Sequence, residues 1–273
     1  YVACCATERS GRIFYEAELV PIKEEWSRFS PNKADLCFDS FDKTLRTAKR
    51  RVPIDRIAEA ARVFMEWQYA ASVIEEELEA GDIIVHDGSL QTSITNERKY
   101  HSKAAEKAME KDVKLLSLSK TSTLFTSTGY SLFAAISELS ESSSLAKSSW
   151  FYHPIVDINQ PDHRAEMYAV KLHPSSEYVF RLEFLKPQAE KMSLDAKGNI
   201  ISLMAQNSAD ASFPGYPYGL LDADRFARVS FNEKECQKIQ FLLCANKARI
   251  LNRLMKCVKS VDAHDALNQT IRG

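Results

Sequence analysis

The sequence has almost no excess charge of either sign, and it lacks the patterns that mark several common protein classes. Its 36 Lys and Arg residues nearly balance its 37 Asp and Glu residues, so any nucleic acid contact must come from local patches. No glycine-rich G-x-x-x-x-G-K loop occurs, which leaves a phosphate-ester enzyme for small molecules with little support. No apolar run approaches the roughly 18 residues of a membrane span.

Cysteine usage excludes a second group of sites. The six cysteines form no C-x-x-C pair and have no histidine at a metal-ligand spacing, which argues against zinc and favours reduced thiols inside a cell. No signal peptide opens the chain, so we expect a cytoplasmic protein with no membrane segment. The cysteines are Cys4, Cys5, Cys37, Cys236, Cys244 and Cys257.

The most informative stretch that is present is Asp82–Leu90. Three β-forming residues lead into Asp87 and Gly88, which predicts a buried strand that turns sharply after the carboxylate. An amphipathic helical pattern from Ile57 to Leu78 precedes it, and a second apolar strand, Val113–Ser119, follows. This order predicts an α/β fold, and because ligands collect at strand ends in such folds, Asp87 is a site candidate.

Later segments extend the same architecture. The last two of three further predicted strands form a hairpin, a short helix follows them, and the chain closes with a long helix that begins at the capping box Ser230–Glu233. The strands are Trp150–Val156, Glu166–Leu172 and Tyr178–Leu185, and the short helix is Asn199–Asn207. Two runs near the start, 1–7 and 12–20, predict another hairpin.

Several charged side chains are candidates with two interpretations each. Glu66 lies on the shoulder of the apolar helical face beside Trp67, where it is either a rim glutamate whose head reaches water or a buried acid that needs a partner. Lys120 directly follows the second strand, so it is either an ordinary loop lysine or a point charge for phosphate beside Asp87. A basic cluster is either a solvated helix end or a phosphate contact; it consists of Arg46, Lys49, Arg50 and Arg51.

An aromatic loop precedes the final helical region. Residues 213–219 contain two prolines and two glycines, which restrict the backbone, and the hydroxyls of Tyr216 and Tyr218. This composition is typical of a segment that shapes a pocket, and it leads into residues 220–227.

The order of these pieces resembles the NurA family of nucleases. The markers are a helix carrying Glu66, the Asp-Gly-Ser-Leu segment that begins at Asp87, a strand followed by Lys120, and the Gly-Tyr-Pro segment around Tyr216. The resemblance covers the chain from about Ala34 to the closing helix. It implies a ribonuclease-H-like mixed sheet flanked by helices, and a single NurA-like domain over residues 1–273.

The resemblance also implies roles for individual residues. Glu66, Asp87 and Asp224 would bind Mn²⁺ or Mg²⁺, because hard oxygen ligands suit these cations, and Tyr216 would lie in the active site. Relatives often have histidine where this chain has Asp224, which changes the local charge. Lys120 and the basic cluster would hold phosphates, and Tyr218 would contact a splayed strand.

One departure from the family pattern leaves two functions open. Relatives carry an additional Asp-Gly-Ser at the end of their first strand, and this chain has none before Asp87. Either that strand precedes Tyr1, which we favour, or residues 1–7 are that strand and the acid is lost. The first case predicts a metal-dependent deoxyribonuclease, and the second a degenerate DNA-binding or assembly subunit.

The resemblance finally implies partners. NurA proteins degrade DNA together with the hexameric translocase HerA, in end resection or phage defence. We therefore expect a homodimer that contacts DNA and a HerA-type ATPase. Because the net charge is near zero, we also expect weak activity alone and stimulation by the partner.

Overall fold

A computed structural model describes residues 57–155 and 163–247. The basic cluster and the predicted hairpin of residues 1–20 lie outside these ranges. The helices are α1 (Ile57–Glu76), α2 (Glu97–Glu110), α3 (Leu132–Glu141), α4 (Lys186–Ala189), α5 (Leu194–Gln206), α6 (Tyr218–Ala227) and α7 (Phe231–Lys247). The strands are β1 (Ile83–Asp87), β2 (Lys114–Ser119), β3 (Trp150–Tyr152), β4 (Ala165–Lys171) and β5 (Phe180–Leu185).

The five strands form one mixed sheet in the order β1-β2-β5-β4-β3. β1 and β2 are parallel, with Asp87 paired to Leu118, and the other neighbours are antiparallel. The parallel pair is connected through α2, as a parallel crossover requires. Asp87 and the residue after β2 therefore emerge at the same end of neighbouring strands.

The chain contacts divide into two compact units. Residues 66–226 form the larger one and contain the whole sheet. Residues 57–65 and 227–247 belong to the other unit, which includes α7. The prediction of a single domain over residues 1–273 stays a prediction.

One face of the sheet packs against α5 and α6. Side chains alternate between faces along a strand, so Leu118, Leu182 and Tyr168, which are cross-strand neighbours, share this face. They form a hydrophobic cluster with apolar residues of the helices. Its helical members are Ile200, Ile201, Met204 and Leu220, and Tyr216 joins them from the loop before α6. This core holds Tyr216 against the sheet.

The opposite face packs against helices from earlier in the chain. Trp67 of α1 stacks on His86 of β1 with ring centroids 4.3 Å apart, and it contacts His101 of α2 edge-on. The Trp67 indole N–H donates to Glu97 over 3.2 Å, which satisfies its polar atom inside the core. A smaller cluster of α3 residues with Trp150 and Ala169 covers the other end of the sheet.

Three predicted boundaries are wrong. α5 begins at Leu194 rather than at Asn199, because the Ser193 side chain accepts a hydrogen bond from the Ala196 N–H and a single glycine inside the helix does not break it. β3 ends at Tyr152 rather than continuing toward Val156, because Pro154 has no N–H to extend the ladder. α6 begins at Tyr218, inside the segment predicted as a loop.

The prediction of an α/β fold with a mixed sheet, flanking helices and a long C-terminal helix is confirmed. α7 begins at the expected capping box, in which the Glu233 N–H donates to the Ser230 hydroxyl and the Ser230 N–H donates to the Glu233 carboxylate. None of the helices in residues 57–155 and 163–247 combines the length and apolar character needed to cross a membrane.

Candidate active site

The sharp turn after β1 depends on Gly88. This residue has φ +144°, and its N–H donates to the carbonyl of Leu118 over 3.1 Å, which continues the parallel ladder for one residue beyond Asp87. A Cβ at this position would lie 3.1 Å from the His86 ring. Glycine is the residue that tolerates both the dihedral angle and the space, so the turn leaves Asp87 as the last, exposed residue of β1.

Two side chains from other parts of the chain contact the Asp87 carboxylate. The Lys120 Nζ, one residue after β2, lies 2.8 Å from Oδ2. The Tyr216 hydroxyl donates to Oδ1 over 3.2 Å. The predicted proximity of Lys120 to Asp87 is confirmed. Tyr216, which the family resemblance assigned to the active site, contacts the same carboxylate.

Tyr216 is held in a protonated state beside this carboxylate. Its side chain is buried, and burial together with the negative charges of Asp87 and Asp224 raises its pKa. Its ring contacts Phe180 at a centroid distance of 5.4 Å, and the Lys120 ammonium lies 5.2 Å from the ring centroid. Tyr216 therefore acts as a fixed hydrogen bond donor at neutral pH.

Asp224 and Tyr218 both lie on α6. Asp224 is half-buried, and its charge contributes to the raised pKa of Tyr216, so it belongs to the surroundings of Asp87 and Tyr216. Tyr218 is the first residue of α6, and a hydrogen bond to Asp222 raises its pKa. The predicted metal contact of Asp224 and the DNA contact of Tyr218 stay predictions.

Glu66 lies beside the residue that precedes Asp87. Its Oε2 is 3.9 Å from Nε2 of His86, and its side chain is about one-third exposed. The next residue of α1, Trp67, stacks on the same imidazole. Glu66 thus lies on the rim of the apolar face beside the His86 imidazole. Its role as a metal ligand stays a prediction.

Glu183 is a residue at this site that the sequence reasoning did not identify. It is fully buried on β5, and it accepts hydrogen bonds from the Leu90 N–H at 2.7 Å and from the hydroxyls of Ser89 and Ser117 at 3.0 Å. The Arg181 Nε lies 3.0 Å from its other oxygen. The sequence signal that could have identified Glu183 is an acid inside an otherwise apolar strand. A buried carboxylate is costly without such partners, so an acid at this position indicates a hydrogen-bonded network.

The network around Glu183 fixes the segment that follows Asp87. Ser89 and Leu90 are both hydrogen-bonded to this one carboxylate, and Ser119 binds the Gly88 carbonyl through its hydroxyl. The turn after β1 is therefore held from the centre of the sheet. The position of Asp87 depends on these contacts as well as on its own partners.

The sheet, the strand-end carboxylate and the Gly-Tyr-Pro segment occur in the order of a known family. A family model described as "NurA domain" matches residues 2–229. The chain belongs to the NurA family. This membership confirms the resemblance that the Asp-Gly-Ser-Leu and Gly-Tyr-Pro segments indicated.

A solved structure supports the fold of this NurA chain. The crystal structure of the NurA nuclease from Sulfolobus solfataricus matches with a TM-score of 0.52, over 73% of this chain and 70% of that chain, at 14% sequence identity. At this identity the match establishes a shared fold. A search of curated protein sequences finds no match.

The donor atoms of the NurA chain fit a divalent cation only in part. Asp87 offers hard oxygens of the kind that Mg²⁺ and Mn²⁺ prefer, but both of them already accept hydrogen bonds. Within the described parts of the chain, no three His, Cys, Asp or Glu side chains are grouped to hold a metal ion. In the arrangement described, these side chains are therefore not grouped as the complete ligand set of a metal ion.

Proposed function

We propose that this NurA-family chain is a nuclease that hydrolyses phosphodiester bonds in DNA. The observation that supports this best is the convergence of Lys120 and Tyr216 on the Asp87 carboxylate, at the exposed end of two parallel strands. The NurA protein with the matching fold is itself named a nuclease. Family membership, fold and site chemistry thus support the same reaction class.

Each of the three side chains suits one requirement of phosphodiester hydrolysis. A carboxylate such as Asp87 can orient and deprotonate an attacking water. The Lys120 ammonium is exposed and can stabilise the negative charge that a phosphate carries into the transition state. Tyr216 remains neutral, so it can donate a hydrogen bond to Asp87 or to a phosphate oxygen.

The test compares the full chain with Asp87→Asn on linear DNA, in the presence of Mn²⁺ and separately of Mg²⁺. We expect Asp87→Asn to lower degradation by at least about 100-fold, because the substitution removes a charge and a proton acceptor while retaining the size of the side chain. Asp195→Asn is the matched control, since this exposed acid lies in the first turn of α5. Equal degradation by Asp87→Asn and the unmodified chain would contradict the proposal.

The finer parts of the proposal rest on the family resemblance. We propose that Mn²⁺ or Mg²⁺ is required and is bound through Asp87 with Glu66 and Asp224. We also propose that the chain is a cytoplasmic homodimer that works with a HerA-type hexameric translocase in DNA repair or phage defence. Co-purification with such an ATPase, and stimulation of DNA degradation by it, would test the partnership.

The same experiment also tests a second candidate function. If the unmodified chain degrades no DNA with either metal ion, alone or with a HerA-type partner, the chain is a degenerate DNA-binding or assembly subunit. DNA binding measured without cleavage would then define its role.

A further inference from the structure

A line of contacting aromatic rings leads from Tyr216, which donates to Asp87, to two exposed aromatic side chains. The Phe213 ring lies edge-on to Tyr216 at a centroid distance of 6.0 Å. Phe213 also stacks on Tyr178, with centroids 5.5 Å apart and ring planes only 16° from parallel. Tyr178 is 54% exposed and Phe213 37% exposed, whereas Tyr216 is buried. The line therefore begins at the candidate catalytic carboxylate and ends at two open aromatic side chains.

The backbone around these two rings is held firmly. The Ser176 hydroxyl accepts from the Tyr178 N–H at 3.1 Å and donates to the Tyr178 carbonyl at 3.2 Å. Gly215 lies directly against Ser176, with φ +96°, and a Cβ there would come within 2.4 Å of the Ser176 oxygen. The two loops that carry Tyr178 and Phe213 thus contact each other closely, so the paired rings are preorganised.

We propose that Tyr178 and Phe213 form a stacking platform for the bases of an unpaired DNA strand whose backbone lies at Asp87. This inference rests on the proposed nuclease function. An exposed aromatic ring can stack on any of the bases, so such binding does not depend on the DNA sequence. The Lys120 ammonium, between the Asp87 carboxylate and the Tyr216 ring, supplies positive charge for the backbone at one end of the line.

The geometry favours an unpaired strand over a duplex. In a duplex both faces of an internal base are covered by its neighbours, so stacking on a protein ring requires the base to leave the helix. An unpaired end presents its bases without that cost. Tyr178 and Phe213 would therefore give the nuclease a preference for single strands and frayed ends.

The test measures binding without cleavage. A 12-nucleotide single strand carrying 2-aminopurine is titrated with the full chain in chelator, and fluorescence quenching reports stacking on an aromatic ring. Tyr178→Leu and Phe213→Leu keep apolar side chains but remove the rings, and we expect each to weaken binding about tenfold and to reduce the quenching. Tyr178→Phe keeps an aromatic ring and should retain both the binding and the quenching. Binding of a blunt duplex should change less than about twofold.

Tyr152→Leu is the matched control, because Tyr152 is 53% exposed and lies on β3, at the opposite edge of the sheet from β1. Thermal melts establish that every variant is folded. If Phe213→Leu fails to fold, the binding and quenching of Tyr178→Leu alone test the platform. The platform is overturned if Tyr178→Leu binds and quenches like Tyr152→Leu, if it loses duplex and single-strand binding equally, or if the unmodified chain binds no single strand.

The outcomes also separate this inference from the proposed function. If Asp87→Asn abolishes degradation and Tyr178→Leu binds single strands normally, the nuclease assignment stands and the platform fails. If the unmodified chain degrades no DNA but Tyr178→Leu loses single-strand binding and quenching, the platform stands on a protein that binds DNA without cutting it.

Discussion

The Lys120 ammonium lies 2.8 Å from Oδ2 of Asp87, and this contact joins the ends of two parallel strands. Both side chains are well exposed, so solvent screens the pair and its contribution to stability is less than about 1 kcal/mol. We therefore expect the Lys120–Asp87 pair to affect catalysis and binding more than folding stability.

Replacing Lys120 by Met should lower DNA degradation about 10- to 100-fold while leaving the melting temperature nearly unchanged. The substitution removes a positive charge that can stabilise a phosphate, and Lys120→Arg should retain much of the activity. Lys114→Gln is the control, because it breaks an ion pair with Asp112 at the other end of the same strand. A loss of activity in Lys114→Gln as large as in Lys120→Met would argue against a specific role for Lys120.

Replacing Tyr216 by Phe should preserve the fold and reduce activity by about tenfold. The ring contacts with Phe180 and Phe213 remain, and only the hydrogen bond to Asp87 is lost. Tyr168→Phe, which removes a hydroxyl bound to Glu166, is the comparison at another part of the sheet. Steady-state rates and thermal melts of both variants give the result, and unchanged rates for Tyr216→Phe would exclude a role of its hydroxyl.

Replacing Glu183 by Ala should destabilise the protein by about 3–5 kcal/mol. Arg181, whose side chain is 15% exposed, would lose its ion-pair partner, and three hydrogen bond donors would lose their shared acceptor. Leaving these largely buried groups unpaired is costly. Glu183→Gln keeps a carbonyl oxygen and should cost less. Urea unfolding measures both values. A change below about 1 kcal/mol for Glu183→Ala would mean that the surrounding residues rearrange or that water replaces the carboxylate.

Stability should fall as the pH is lowered from 6.5 to 4, partly because of His101. Burial, with the nearby charges of Arg164 and His86, lowers its pKa from 6.5 to about 4. The unfolded chain therefore binds this proton at a higher pH than the folded chain, and the cost reaches about 3 kcal/mol near pH 4. His101→Asn does not titrate and keeps an acceptor for Arg164, which contacts Nδ1 at 2.8 Å. The stability of the His101→Asn variant should therefore depend less on pH between 6.5 and 4. The same pH dependence in the variant and the unmodified chain would show that His101 is not its cause.

Mn²⁺ binding tests the proposed metal ligands directly. Electron paramagnetic resonance of free Mn²⁺ measures its uptake by the full chain without reference to activity. We expect Asp87→Asn to weaken binding at least about tenfold, because a hard cation prefers a charged oxygen. Glu66→Gln and Asp224→Asn should have smaller effects, and Asp195→Asn none. Full Mn²⁺ uptake by Asp87→Asn would remove this residue from the proposed ligand set.

Local sequence patterns were sufficient to predict most of the secondary structure. The apolar run before Asp87, the helical spacing in α1 and the Ser230 capping box each reflect interactions between residues close in sequence, so they can be recognised without the fold. The start of α5 was predicted at Asn199, whereas the helix begins at Leu194, continues through Gly198 and buries Ile200 and Ile201. Packing outweighed the low helical propensity of one residue.

The sequence by itself determined the strand that presents Asp87, the expected proximity of Lys120 and the family. Only the tertiary structure decided that Tyr216 donates to Asp87, that Glu183 holds the turn, and that Tyr178 and Phe213 stack. The partners in the first two contacts are 129 and 93 residues apart. Such contacts depend on strand register and loop packing, and periodicity along the chain carries no information about them.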